Sequence, residues 1–177
     1  YSLTSGYGLA PDQSFPVQLA ARLKADGYDV IVDNGGVTGD TTADGLARFD
    51  WTMGDHPDIV LLELGANDML RGLPPKRAEA NLDGILGKLK ATQVKVLLLG
   101  MRASSNWGAD YQKTFDAIYP SLAQKYDVPL YPFLLEGVAL DPKLNQADLL
   151  HPNAAGVAAI VGRLAPAVER LLGRPAE

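Results

Sequence analysis

A three-layer α/β/α domain with a mostly parallel central sheet is the fold class this sequence predicts, and three observations predict it. Short, near-continuous apolar runs recur along the chain, longer segments with helical apolar spacing separate them, and 177 residues is the size of one such domain. The runs are residues 29–32, 59–64, 94–99 and 128–131. They lack the polar alternation of a half-exposed strand, so they read as strands covered on both faces. A single domain over residues 1–177 follows, because a chain of this length buries ~70% of its unfolded surface and needs no staples.

The elements between the runs can be placed in order. Ser14 followed by Pro16 predicts a capped start for an opening helix through Leu19 and Leu23. Residues 42–49 predict a short helix, and residues 76–89 a longer one with Ala78, Leu82, Ile85, Leu86 and Leu89 on one face. Residues 109–126 are the next helix, distorted near Pro120. Residues 154–172 close the chain, aligning Val157, Ile160, Val161, Leu164, Val168 and Leu171 as an apolar stripe with a kink expected at Pro166. The stretch Gly72-Leu73-Pro74-Pro75 and residues 136–145 read as surface loops. Strand and helix alternate, which calls for right-handed crossovers.

Composition narrows the function. There is no cysteine, so disulfides and thiolate metal sites are excluded, and with only two separated histidines a zinc site has little support. The net charge is -5, and no Lys/Arg cluster interleaves with aromatics, which argues against nucleic acid and favours a small or neutral substrate. The apolar stretches are too short to cross a bilayer, so no stable membrane insertion is expected. No signal peptide is visible; the expectation is a periplasmic or secreted protein if one was removed, and otherwise a cytoplasmic one. The oligomeric state stays open, a homo-oligomer included.

The chemistry lies near the two ends. Ser2 sits in Ser2-Leu3-Thr4-Ser5-Gly6-Tyr7-Gly8, and the far end carries Asp148-Leu149-Leu150-His151-Pro152-Asn153. A nucleophilic serine needs a base within hydrogen-bond reach and a third group that fixes the tautomer of that base. Pro152 can open the last helix and steers His151 away from helical backbone, which puts Asp148 and His151 on a loop. A carboxylate that accepts the Nδ1 proton leaves Nε2 free to take one from a serine. Short Asp/His spacings are common, and by itself this one fits better an aspartate capping a turn beside an ordinary surface histidine. Two further segments follow strand ends: Gly65-Ala66-Asn67-Asp68, and the run from Asn34 through Gly35, Gly36, Val37, Thr38, Gly39 and Asp40 to Thr41. Both can aim backbone N–H groups and an amide at developing negative charge. Singly, the glycines also serve tight turns, and Asn67 and Asp68 also cap the turn at 69–72. Their spacing does not match either glycine-rich nucleotide pattern.

Taken together, these four blocks resemble the SGNH hydrolase superfamily, also called the GDSL esterases and lipases, and in particular its compact bacterial arylesterase and thioesterase/lysophospholipase branch. The resemblance covers nearly the whole chain and implies a flavodoxin-like fold. It implies Ser2 as nucleophile, His151 as base and Asp148 as the partner that orients it. It also implies an oxyanion hole of the Ser2 and Gly39 backbone N–H groups and the Asn67 side-chain amide. The implied activity is hydrolysis of carboxylic esters or thioesters (aryl or acyl esters, acyl-thioesters, lysophospholipids) through an acyl-enzyme, with no cofactor. Two other readings use the same scaffold, a carbohydrate acetylesterase with a polar, shallow pocket and a noncatalytic binding protein.

Tyr1 stands where the family has an aspartate, and the family's first strand precedes its nucleophile. A central strand rich in Val, Ile, Leu or Ala is therefore expected ahead of Ser2, as upstream residues or as a separate fragment, because attack tolerates little misplacement. Met101, Trp107, Tyr111, Leu134 and Leu135 are candidates for the wall of an acyl pocket, although core packing accounts for each as well. Arg102 fits a substrate carboxylate or a plain surface role, and His56 reads as structural.

Overall fold

Three of the four apolar runs pair as parallel strands in the computed structural model, which describes residues 2–175. Ile59–Leu62 (β1), Lys95–Leu99 (β2) and Leu130–Tyr131 (β3) form one sheet in the order β1-β2-β3. Leu62 lies opposite Leu98, and Leu98 in turn opposite Leu130. Parallel neighbours need a crossover. Pro75–Thr92 (α6) supplies the first, and Ala109–Asp116 (α7) with Ile118–Tyr126 (α8) the second. Val96, Leu97, Leu98 and Leu99 are all buried, as expected of a strand covered on both faces.

The described residues form two compact units. One runs to Thr38 and resumes at Leu135; the other is Gly39–Leu134 and contains the sheet. Within the second unit, Thr42–Ala47 (α3), Phe49–Thr52 (α4) and Ala66–Leu70 (α5) complete the helices. Helix α3 begins with a capping box in which Thr41 and Asp44 satisfy each other's backbone N–H. All five expected residues of α6, Ala78, Leu82, Ile85, Leu86 and Leu89, are buried, each leucine worth roughly 2 kcal/mol over its exposed state. The expected long helix at 109–126 is two helices meeting at Ala117. Pro120 has no N–H for the Asp116 carbonyl and its ring would strike that carbonyl, so the break falls one turn before the proline. Trp107, Tyr111, Phe115 and Tyr119 follow one another in ring contact, tilted, stacked and edge-on in turn, at centroid distances of 6.2, 6.1 and 5.9 Å.

In the first unit, Ser2–Ser5 (α1) is a single turn, and Phe15–Ala25 (α2) packs along Ala154–Leu172 (α9). Helix α2 starts as expected, but Ser14 makes no side-chain cap; its hydroxyl donates instead to the Pro11 carbonyl at 3.0 Å. Helix α9 has the expected bounds and continues through Pro166, with Val157, Ile160, Val161, Leu164 and Val168 buried and Leu171 half-buried. It is Asn153 that caps it, accepting from the Gly156 N–H, so Pro152 lies before the cap rather than opening the helix.

Residues 29–32 are not a strand. They find no ladder partner among the described residues, and Ile31 is 90% exposed; an apolar run acquires strand structure only from a neighbour that takes its backbone bonds. The loop at 136–145 is less superficial than expected. Val138 is buried, and the Asn145 amide, also buried, donates to the Val138 and Asp141 carbonyls at 2.6 and 2.8 Å. Among the described residues no helix is long and apolar enough to cross a membrane. Tyr1, and with it the expected preceding strand, lies outside the described residues.

Candidate active site

The first unit brings Ser2, His151 and Asp148 together. Ser2 opens α1 and is 4% exposed, with its carbonyl accepting from the Tyr7 N–H at 3.0 Å and from the Ser5 hydroxyl at 3.0 Å. Its Oγ lies 2.9 Å from His151 Nε2, and His151 Nδ1 lies 2.7 Å from Asp148 Oδ2. The other carboxylate oxygen, Oδ1, accepts the backbone N–H groups of Leu150 at 2.9 Å and His151 at 3.0 Å. These bonds, the His151 backbone N–H first and its ring second, hold the Asp148 carboxyl down to about 2. An anionic carboxylate only accepts, so Nδ1 carries the proton and Nε2 of the neutral ring is the acceptor for the Ser2 hydroxyl. The arrangement can move a proton from serine to imidazole beside a fixed negative charge.

The loop that carries the pair is under strain. Leu149, between Asp148 and His151, has φ 58°, a backbone state that costs a side chain-bearing residue about 1–2 kcal/mol. Its N–H donates to the Gln146 carbonyl at 2.9 Å, which helps hold the bend. The Tyr7 ring packs against the imidazole, centroids 4.7 Å apart.

Gly39 and Asn67 lie in the second unit, beside one another. Asn67 is in the first turn of α5, just past the carboxyl end of β1, and its Nδ2 donates to the carbonyl of Asp40 at 2.8 Å. An amide nitrogen carries two hydrogens, so one remains for another acceptor. Arg71, one turn further along, donates to the Gly39 carbonyl at 2.8 Å, so α5 grips two consecutive peptides. Asn67 and Asp68 do not cap the turn after them; Gly65 is the N-cap residue, at φ 113°. Only glycine suits that position, since an added Cβ would also lie 2.2 Å from the buried Tyr119 hydroxyl. Asp68 is 2% exposed and accepts the Thr42 N–H at 2.8 Å and the Thr42 hydroxyl at 2.7 Å. Its role, like those of Arg71 and of Gln146, was not legible in the motifs, because the groups that answer these side chains are mostly backbone atoms of distant segments.

The acyl-pocket candidates divide by burial. Met101 and Leu134 are 3% and 1% exposed and belong to the core of the second unit. Trp107 is half exposed and covers Gly72, while half-buried Tyr111 donates its hydroxyl to the Leu73 carbonyl at 2.9 Å; both therefore wall the turn that follows α5. Leu135 is half-buried in the first unit. Arg102 lies over the Phe133 ring, 5.3 Å from its centroid. His56 is exposed and lines a cleft of about 520 Å³ with Phe49, Met53, Pro57 and Thr92, ahead of β1. Among the described residues no group of His, Asp and Glu is arranged to hold a metal ion.

Residues 2–159 match the model of the GDSL-like Lipase/Acylhydrolase family. The chain is 43% identical over 153 residues to an arylesterase of Vibrio mimicus, which covers 86% of this chain and 76% of the relative. It is 40% identical over 153 residues to thioesterase 1/protease 1/lysophospholipase L1 of Escherichia coli (strain K12), covering 86% of this chain and 72% of the relative. Among solved structures, the SGNH-hydrolase family esterase AlinE4 superposes with a TM-score of 0.81 at 46% identity, over 98% of this chain and 93% of that one. The fold class is three-layer α/β/α with a parallel central sheet, as expected.

Proposed function

This chain belongs to the GDSL-like Lipase/Acylhydrolase family, and from that premise we propose that Ser2 is its nucleophile, His151 its general base and Asp148 the group that orients the base. The protein is an SGNH-type serine hydrolase of carboxylic esters and thioesters of small molecules. The observation that carries the assignment of roles is the unbroken chain of hydrogen bonds from Ser2 Oγ through the imidazole to Asp148.

In the proposed reaction Ser2 Oγ attacks the carbonyl carbon while Nε2 takes its proton. Asp148 stays ionised and stabilises the imidazolium. The tetrahedral oxyanion is met by the Ser2 and Gly39 backbone N–H groups and the Asn67 amide, each donor worth ~3 kcal/mol to the transition state. Imidazolium then protonates the leaving alkoxide or thiolate, and an acyl-enzyme remains. Water, deprotonated by the same imidazole, releases the acid and restores Ser2. The family model spans residues of both units, which supports their acting as one hydrolase domain. The names of the relatives support aryl esters and acyl thioesters as the first substrates to try.

A fluorophosphonate probe, which phosphonylates activated serines, tests the roles directly. We expect stoichiometric labelling of Ser2 in the wild type, none in Ser2→Ala, and turnover of p-nitrophenyl acyl esters and acyl-CoA by the wild type alone. A Ser2→Ala protein that hydrolyses these substrates at the wild-type rate refutes the assignment.

A further inference from the structure

Gln146 takes no part in the proton path, yet it touches the backbone at both ends of it. Its Nε2 donates to the Tyr7 carbonyl at 2.9 Å and to the Pro152 carbonyl at 3.2 Å, which uses both hydrogens of the amide. Its backbone N–H donates to the carbonyl of His151 at 2.7 Å, and its own carbonyl accepts from Leu149. On the other side, the N–H of Tyr7 donates to the carbonyl of Ser2 at 3.0 Å. One side chain thus joins the turn that carries Ser2 to the loop that carries His151. The join is tight. Gly8 has φ 72°, and a Cβ there would lie 2.2 Å from Gln146 Oε1, so the chain beside Tyr7 runs flush against the amide.

Both segments need such a fastening. Helix α1 is a single turn of four residues, too short to be stable by itself, and the His151 loop contains the strained Leu149. Neither would hold a side chain to the tolerance that attack demands, where a displacement of 1 Å costs about 100-fold in rate.

We propose that Gln146 is a positioning residue: its amide clamps the Tyr7 and Pro152 carbonyls and so fixes Ser2 Oγ within hydrogen-bond reach of His151 Nε2. The inference rests on the reading of Ser2 and His151 as nucleophile and base. It makes Gln146 a determinant of the chemical step, with no contact to the substrate.

The test uses Gln146→Met, which keeps length and removes the donors, and Gln146→Glu, which keeps shape and replaces both donor hydrogens with an acceptor. Each is assayed above the acid limb of the rate profile, beside the wild type and Ser2→Ala. Expected for both variants is a kcat at least ~10-fold lower with KM within twofold, and fluorophosphonate labelling slowed by the same factor. Wild-type kcat and labelling in both variants overturn the proposal while leaving the roles of Ser2 and His151 intact. A loss of activity matched by the fraction of unfolded protein in a thermal melt also overturns it, by assigning Gln146 to stability alone. Full activity in Ser2→Ala removes the underlying reading, and the proposal with it.

Discussion

Asp68→Ala should damage this protein more than any other polar substitution near Asn67. Asp68 and Thr42 are 2% and 0% exposed, and the carboxylate receives two bonds from the same threonine, N–H to Oδ2 at 2.8 Å and hydroxyl to Oδ1 at 2.7 Å. Thr42 is the first residue of α3, so its N–H has no partner inside the helix. The hydroxyl is already the acceptor for the Asn81 amide at 3.0 Å, which leaves its hydrogen no obvious alternative. Hydrogen bonds to a charged group are worth ~1.5–3 kcal/mol each, and stranding a buried N–H costs ~1–3 kcal/mol. Counting the loss once per donor gives about 3–6 kcal/mol for Asp68→Ala. Against a typical domain stability of ~5–15 kcal/mol that leaves a marginal fold. Asp68→Asn can still accept one of the two bonds and should cost about half as much. The same lesion reaches the chemistry, because Gly39 and Asp40 lead into the α3 cap while Asn67 is the neighbour of Asp68. Urea unfolding followed by circular dichroism gives the first number, and kcat on a p-nitrophenyl ester, measured where each variant is folded, gives the second. An Asp68→Ala protein within 1 kcal/mol of wild type, or an Asp68→Asn as costly as the alanine, would refute the reasoning.

Three further outcomes are expected. Asn67→Ala should lower kcat by ~100-fold or more with little change in KM, since its amide meets charge that exists mainly in the transition state; normal kcat with a raised KM would place Asn67 in ground-state binding instead. The kcat/KM of the wild type should rise with pH as a single ionisation between pH 5 and 8, because Asp148, depressed from 3.8 to about 2, is charged throughout that range; its pairing contributes stability above the unfolded value and is lost only as pH falls through about 2. A second ionisation in that window would contradict this, and Asp148→Asn should impair turnover by favouring the wrong tautomer. Gly65→Ala should cost at least ~3 kcal/mol by thermal or urea unfolding, from an unfavourable φ of 113° and a clash with the Tyr119 hydroxyl, which donates to the Leu64 carbonyl at 2.8 Å; a fully stable variant would show that the turn relaxes freely.

What could be read from the sequence and what could not divide along a physical line. The buried face of α6 and the bounds of α9 were legible because apolar spacing is a local property that burial then rewards. The loop carrying Asp148 and His151 was legible for a similar reason, since Pro152 restricts the residue before it. Residues 29–32 misled because their composition suits a strand while strand structure depends on a neighbour. The division at Ala117 was only half legible: the sequence showed that Pro120 would disturb the helix, but the missing bond falls on the carbonyl four residues earlier. Gln146 gave no signal at all. Its partners are main-chain carbonyls, which every residue possesses, so only the folded path of the chain singles out Tyr7 and Pro152.

The proposed nucleophile–base set and the proposed oxyanion donors are fixed by different means, and their failures should look different. Ser2, Asp148 and His151 all lie in the first unit, on one short helical turn and one strained loop, held by the Gln146 amide and by the backbone N–H groups of Leu150 and His151 that bond Asp148. Loosening them changes how a proton moves, so it should alter the pH dependence, the labelling of Ser2 and kcat together. Gly39 and Asn67 lie in the second unit, gripped by α5 and backed by the buried Asp68–Thr42 pair. Loosening those weakens the stabilisation of charge without touching the base, so kcat should fall while the pH profile keeps its shape. A substitution at Asp68 or Asn67 that shifted the acid limb of kcat/KM, which reports ionisation in the free enzyme, would mean that the donors and the imidazole are energetically coupled before any oxyanion forms.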